Sequence, residues 1–328
     1  RTVTGVQTCA LPICALQDRD YSLTLEALKD YQYAELFAGN QDSRGSISVG
    51  HFVVSKPQIH VAGFELAKLL GHESDAKFHL AEIASCVEAT HQLPKSSLRA
   101  IHLVALHKRL DQFQQAMTVA AEVNWADSSW IEYVAPCIYE FSANPDEALH
   151  QFEQLQVNEN NANAIAARAH FYAEIPKYRA ALPRLYQQVV ERHPKSVEGR
   201  LRALDIIGLM GDPGRLKAEA KKMMVLLRTD TSYWGRDDAL RYLAGECSYD
   251  VALAAASHSI LRRGMVRYAR GLECLASGRI DEAREAFRHC VETGAFWLYE
   301  YDWSRAYLAQ MSRDPNWPSW TEKKPAAE

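Results

Sequence analysis

Apolar residues recur along this chain with the period of amphipathic helices. This helical pattern also repeats along the chain with a longer period. Pairs of small or apolar residues four positions apart return every 31 to 40 residues, with a mean spacing of about 34 residues. No segment alternates apolar and polar residues over a sustained length, so we expect no β-sheet. The pattern predicts an all-α protein of about seven helical hairpins. The pairs on which this prediction rests are Ala76/Leu80, Ala116/Ala120, Ala148/Phe152, Ala181/Leu185, Leu216/Ala220, Ala252/Ala256 and Ala283/Phe287.

Residues that end or begin helices fall between the two members of the proposed hairpins. They cluster at Gly71–Asp75, Asn144–Asp146, Ile175-Pro176, Gly211–Gly214 and Gly278–Asp281. Glycine after a helix and Asn, Asp or Pro before one are typical of such boundaries. A non-repetitive helical bundle would also place Ala and Leu four residues apart, and the regular spacing argues against that alternative.

The clearest repeat unit covers residues 264–294. It has Gly271, Gly278, Ala283 and Phe287 at its small, turn and aromatic positions. In these residues the chain resembles the tetratricopeptide repeat (TPR) family. The resemblance implies a right-handed superhelical solenoid of antiparallel helix hairpins, with about seven repeats and a C-terminal capping helix.

The ends of the chain depart from the repeat pattern. Over eleven consecutive residues, from Val3 to Ile13, the chain is similar to a translated sequencing adapter. We therefore expect residues 1–14 to be a disordered artefact, and the natural N-terminus to be missing. The expected segments are an N-terminal helix and irregular loop over 15–56, repeats over 57–294, a capping helix with a Trp/Pro tail over 295–320, and a frayed tail over 321–328.

Aromatic residues are dense in the C-terminal segment. Trp317 and Trp320 either fold back as part of the cap or anchor a partner, and both interpretations stay open. Residues 264–320 are also similar to the last repeats behind the kinase domain in some bacterial serine/threonine kinases. That resemblance implies our alternative function, the C-terminal docking or regulatory region of a truncated kinase.

Composition and charge narrow the class of partner. Hydrophobic residues make up 48% and charged residues 24%, which is typical of a globular chain with a sizeable core. A net charge of −4 gives no bulk attraction to phosphate, so we expect neither nucleic acid nor an anionic membrane as the main partner. No apolar run approaches the roughly 20 residues of a membrane span. Scattered cysteines without a CxxC pair predict a cytoplasmic protein, although a missing N-terminus leaves room for a signal peptide.

Motifs of catalysis are absent from the sequence. It lacks a phosphate-binding loop, a dinucleotide fingerprint, kinase signatures, HExxH and GxSxG. No histidine pair has the spacing that directs two imidazoles at one metal ion on a helix. We therefore predict a non-catalytic protein without cofactor or metal. A helical-repeat enzyme with an unrecognised site is a third alternative.

A binding surface follows from the TPR resemblance, because the first helices of successive TPR hairpins line a concave groove that receives a peptide or protein. Aromatic residues mixed with charges of both signs suit peptide recognition, although each could also be an ordinary solvated or inter-helix residue. The Lys-xxx-Asn sequence that begins a chaperone-type carboxylate clamp is absent. The predicted groove residues are Arg109, Trp130, Tyr133, Asn163, His170, Arg202, Asp205, Trp234, Asp238 and Arg241.

Overall fold

The structure is a computed structural model that describes most of the chain from residue 46 onwards. Residues 1–14, the expected N-terminal helix and the 321–328 tail lie outside the described residues. The described residues are 46–49, 52–92, 97–123, 125, 131–142, 144–155, 157–227, 236–257, 259–295, 298–314 and 316–318.

Helices form almost all of the described chain, which confirms the predicted all-α class apart from one short hairpin. Strands β1 (Ser46–Val49) and β2 (Phe52–Ser55) pair antiparallel, with Val49 opposite Phe52. The sequence interpretation placed an irregular loop here. β-branched and aromatic residues favour strands, and runs of four are too short to stand out as a sustained alternation.

The chain divides into two compact units. One comprises residues 1–123 with 292–296, and the other comprises residues 124–291 with 297–328. The helices of the first unit in the described residues are α1 (Lys56–Leu70), α2 (Glu73–His91), α3 (Ser97–Arg109) and α4 (Phe113–Ala121). They pack in two pairs, α1 on α2 and α3 on α4, and α2 also packs on α3.

The second unit contains twelve helices in the described residues. They are α5 (Ile131–Phe141), α6 (Pro145–Glu153), α7 (Ala162–Glu174), α8 (Pro176–Arg179), α9 (Leu182–Arg192), α10 (Val197–Met210), α11 (Pro213–Leu227), α12 (Asp237–Leu243), α13 (Tyr249–Ala255), α14 (Ile260–Ala276), α15 (Ile280–Val291) and α16 (Tyr299–Arg313). Ten of them pack in five pairs, which are α5/α6, α7/α9, α10/α11, α12/α13 and α14/α15. The one-turn α8 lies between α7 and α9, and α16 follows the last pair.

Helix boundaries in the second unit follow the turn residues that the sequence analysis singled out. The side chain of Asn144 caps α6 by accepting a hydrogen bond from the backbone N–H of Glu147 at 2.9 Å. Gly211 ends α10 with φ of 74°, a left-handed conformation that favours glycine. The predicted breakers therefore act at the expected positions.

Close helix approach in the last pair depends on a small residue. A Cβ atom at Gly271 on α14 would lie 2.3 Å from the ring of Phe287 on α15. Because that distance is far inside van der Waals contact, only glycine allows the ring to pack against the backbone of α14. Gly271 and Phe287 thus face each other across this pair.

The first helices of the pairs in the second unit contact one another, α5 with α7, α7 with α10, and both α10 and α12 with α14. Helix α16 packs against α5, α14 and α15, and so joins the first pair of this unit to the last. The sequence predicted a capping helix with a Trp/Pro tail in this segment. In the structure, the aromatic face of α16 has apolar and polar partners on several first helices. Across the described residues, no helix is both long enough and apolar enough to cross a membrane.

Candidate functional site

The face made by the first helices of the second unit is filled in part by α16. Tyr299, Trp303 and Tyr307 lie four residues apart on α16, and all three side chains are buried. The indole ring of Trp303 stacks on the imidazole of His170 from α7, with ring centroids 3.5 Å apart and planes 13° apart. The chain therefore places its own helix against residues that the sequence analysis assigned to a binding groove.

Two tyrosine hydroxyls of α16 bond to the two ring nitrogens of His170. Tyr299 Oη lies 3.1 Å from Nε2, and Tyr307 Oη lies 2.5 Å from Nδ1. The Tyr299 hydroxyl donates its hydrogen to Asp205 Oδ2 at 2.9 Å. Burial lowers the pKa of His170 well below its usual value, so the imidazole is neutral and carries one N–H. The oxygen of Tyr299 then accepts from Nε2–H, which leaves Nδ1 to accept from the Tyr307 hydroxyl.

Arg202 on α10 is the charged centre of this region. Its Nε donates to Asn163 Oδ1 at 2.7 Å, and its guanidinium contacts Glu132 at 2.8 Å and Asp205 at 3.3 Å. The same guanidinium lies 3.5 Å from the centroid of the Tyr299 ring. Each of the three guanidinium nitrogens thus has a hydrogen-bond partner, which offsets part of the cost of taking the cation out of water.

Burial alters the proton affinity of the carboxylates around Arg202. It raises the pKa of Asp205 to about 6, although Arg202 and the Tyr299 hydroxyl act in the opposite direction. Burial also raises the pKa of Glu132, again against the attraction of Arg202. Desolvation is therefore the larger effect at both carboxyl groups.

A small cavity adjoins this cluster, between α10, α12, α14 and the first turn of α16. Its volume is about 40 Å³. Its walls are mostly leucine and alanine side chains with Met265, and its polar lining includes Arg202, Asp205, Arg236 and Glu300. A water molecule needs roughly 10 to 15 Å³ of such space, so the cavity has room for about three atoms of that size.

Glu300 is one of the polar residues that line the cavity. Its Oε1 lies 3.1 Å from the guanidinium of Arg236, whereas its buried Oε2 has no hydrogen-bond partner within the described part of the chain. Arg236, in contrast to Arg202, contacts a single carboxylate in the described ion pairs. The cavity therefore combines apolar walls with a buried carboxylate oxygen that can still accept a hydrogen bond.

The C-terminal end of α16 and the residues after it pack against α5 and α7. Trp317 is buried, and its Nε1 donates to Tyr139 Oη at 3.3 Å. The Tyr139 hydroxyl donates to Glu174 Oε1 at 2.6 Å, and Gln310 donates to the Tyr139 carbonyl at 2.6 Å. Burial raises the pKa of Glu174 to about 8. Trp317 therefore belongs to the packed core of this unit, as the cap interpretation expected, while Trp320 lies outside the described residues.

Four of the ten predicted groove residues meet in one place, and they do so around α16 and the cavity. Asn163 and His170 contribute from α7, and Arg202 and Asp205 contribute from α10. All four form hydrogen bonds or ion pairs with other residues of this chain. Their predicted role toward a partner stays a prediction.

Three other predicted residues of the second unit have different surroundings. Tyr133 on α5 is half-buried, and its pKa is raised first by burial and then by the charges of Glu132 and Glu300. Asp238 on α12 is buried and accepts from Arg262 Nε at 2.8 Å. Arg241, also on α12, is exposed and lies 4.0 Å from Glu246. Of these, Arg241 has a side chain available at the surface.

The remaining predicted residues are not part of this site. Arg109 belongs to the first unit, where its guanidinium lies 3.3 Å from Glu65 and donates to the carbonyl of Ala105. Trp130 and Trp234 lie outside the described residues.

No site residue was predicted on α16, although its segment was predicted to be a cap. The residues not predicted are Tyr299, Trp303 and Tyr307. Their spacing at i, i+4 and i+8 gives one aromatic helix face, and that signal could have marked them as partners of the groove. Glu132, which pairs with Arg202 seventy positions away in sequence, carried no comparable local signal.

In the described residues, no group of three or more His, Cys, Asp or Glu side chains is placed to hold a metal ion. No protein-family model, curated protein or solved structure matches this chain. The resemblances to the TPR family and to kinase-associated repeats accordingly stay interpretations of the sequence.

Proposed function

We propose that this chain is a non-catalytic protein-interaction scaffold whose helix pairs are repeats of a TPR-like solenoid, and that it binds a peptide or protein segment. The observation that carries the proposal is the cavity lined by Arg202 and Asp205. Both residues were predicted for a binding groove, and the cavity lies on the face made by the first helices α10, α12 and α14.

Helix α16 supports this proposal in a second way. It is a polypeptide segment held on the same face by stacked rings, tyrosine hydroxyls and an Arg305–Glu140 ion pair at 2.9 Å. Those are the contacts that aromatic and charged residues make at protein interfaces. The face thus has the chemistry for binding a peptide, and the cavity beside α16 is the part that a side chain of the proposed partner would enter.

Peptide display tests the proposal on the full chain. A library of random twelve-residue peptides is panned against the protein, and enriched peptides are then measured by fluorescence anisotropy. Ala239 lines the cavity, so Ala239→Leu fills it, whereas Ala254→Leu makes the same change at an exposed position of α13. We expect the enriched peptides to bind the parent protein and Ala254→Leu equally, and to bind Ala239→Leu at least tenfold more weakly.

Circular dichroism checks that the cavity variant keeps its helix content. If Ala239→Leu unfolds the protein, the smaller change Ala269→Val at the same cavity replaces it. Panning without enrichment, or enriched peptides that bind every variant alike, would count against the proposed function.

A further inference from the structure

The charged residues that line the cavity, taken together with Glu132 beside them, carry more negative than positive charge. Two guanidiniums, those of Arg202 and Arg236, contact three carboxylates, those of Glu132, Asp205 and Glu300. Counted as ionised groups, they leave one formal negative charge in excess. Such an excess in a buried place favours either protonation of a carboxylate or the approach of a cation.

The two arginines are committed to these carboxylates, which disfavours an anionic ligand. Arg202 is held by Glu132, Asp205, Asn163 and the ring of Tyr299. The carboxylate of Glu300 offers the remaining acceptor, because Oε1 faces Arg236 and the buried Oε2 has no partner within the described residues. A donor with a positive charge would satisfy both the free acceptor and the excess charge.

Cavity size decides between the cations that proteins present. A volume of about 40 Å³ accepts roughly three heavy atoms. An ammonium group with one or two methylene groups has that size, whereas a planar guanidinium has four heavy atoms before any methylene is counted. Leucine, alanine and Met265 side chains supply apolar walls for the methylene groups.

We propose that this cavity binds a primary ammonium group, and that the partner segment inserts the end of a lysine side chain beside Glu300. As a statement about the partner, the inference rests on the proposed function. The cavity itself can be tested without any peptide.

Ethylammonium is the probe, because it has the three heavy atoms that the cavity accepts. Ethanol matches it in size without charge, and formate, also with three heavy atoms, carries the opposite charge. The protein is labelled with ¹³C at its methionine methyl groups, and the Met265 signal is assigned with Met265→Leu. At constant ionic strength, we expect ethylammonium to shift the Met265 signal saturably and ethanol and formate to leave it in place.

Glu300→Gln removes the charge at nearly constant shape, and Glu285→Gln is the same substitution at an exposed site on α15. We expect ethylammonium to bind Glu300→Gln about tenfold more weakly and Glu285→Gln as it binds the parent protein. Equal shifts with ethanol or formate, or no shift with any probe, would overturn the ammonium site.

The peptide experiment separates this inference from the proposed function. Enriched peptides that contain lysine, and lose at least tenfold in affinity when that lysine is replaced by norleucine, support both. Enriched peptides that depend on Ala239 but not on a lysine refute the ammonium site and leave the scaffold function standing. If no peptide is enriched while ethylammonium still shifts Met265, the scaffold function fails and the ammonium site holds.

Discussion

The burial of Glu174 in the second unit can be tested quantitatively, because it makes the stability of the protein depend on pH. Its carboxyl group is buried at the end of α7 and accepts the Tyr139 hydroxyl at 2.6 Å. Burial raises its pKa from an ordinary value of 4.5 to about 8. Between these two pH values the folded protein binds more protons than the unfolded chain. The free energy of unfolding must therefore fall as pH rises through that window, by about 1.4 kcal/mol per pH unit from this group.

Glu174→Gln removes this cost, because glutamine is neutral at every pH and its amide oxygen can still accept from Tyr139. Because pH 7 lies 2.5 units above the ordinary pKa of 4.5, we expect the variant to be more stable than the parent protein by about 3 kcal/mol at this pH. The difference should be small at pH 5 and should level off above pH 8. Since the side chain is more than nine-tenths buried, solvent screening reduces this value little.

Urea unfolding followed by tryptophan fluorescence measures this difference. All seven tryptophans fall within the sequence ranges of the second unit, so the signal reports on the unit that contains Glu174. Glu191→Gln, at an exposed position of α9, is the control and should stay within about 0.5 kcal/mol of the parent protein. Parallel stability profiles of Glu174→Gln and the parent between pH 5 and 8 would refute the reasoning.

Three further substitutions test contacts that define the fold and the site, each by the same unfolding assay. Gly271→Ala should destabilise the protein by about 1 to 3 kcal/mol because of the clash with Phe287, and Phe287→Leu in the same chain should recover part of the loss. Tyr307→Phe removes the donor to His170 and should cost about 1 to 3 kcal/mol, and no loss would contradict the assigned tautomer. Asn144→Ala removes an N-cap and should cost about 1 kcal/mol, whereas Asn144→Asp should cost less.

The sequence was informative about local structure because the relevant signals are local. Gly211 and Asn144 mark helix boundaries through backbone conformation and capping, both of which act within one helical turn. The small position Gly271 and the aromatic position Phe287 face each other because the two residues lie in adjacent helices of one pair. Such features repeat with the hairpin and can be found by their spacing.

The site was harder to predict because its contacts join residues far apart in sequence. Asn163, His170, Arg202 and Asp205 were selected from helix position alone, and in the structure they form one cluster around α16. The partner on that face is α16, and the bond between His170 and Tyr307 spans 137 positions. The spacing of residues along the sequence does not predict where a terminal helix packs, because its packing depends on the tertiary arrangement of several helix pairs.

The position of α16 also limits where a partner can bind. Tyr299, Trp303 and Tyr307 are buried almost completely, and aromatic side chains bury about 150 to 250 Å² each. Exposing roughly 600 Å² of such surface would cost about 15 kcal/mol at 25 cal/mol per Å². A micromolar complex supplies about 8 kcal/mol, so a partner that displaced α16 would have to recover most of that loss through new contacts. A segment that binds beside α16, with one side chain in the cavity near Glu300, avoids the cost altogether.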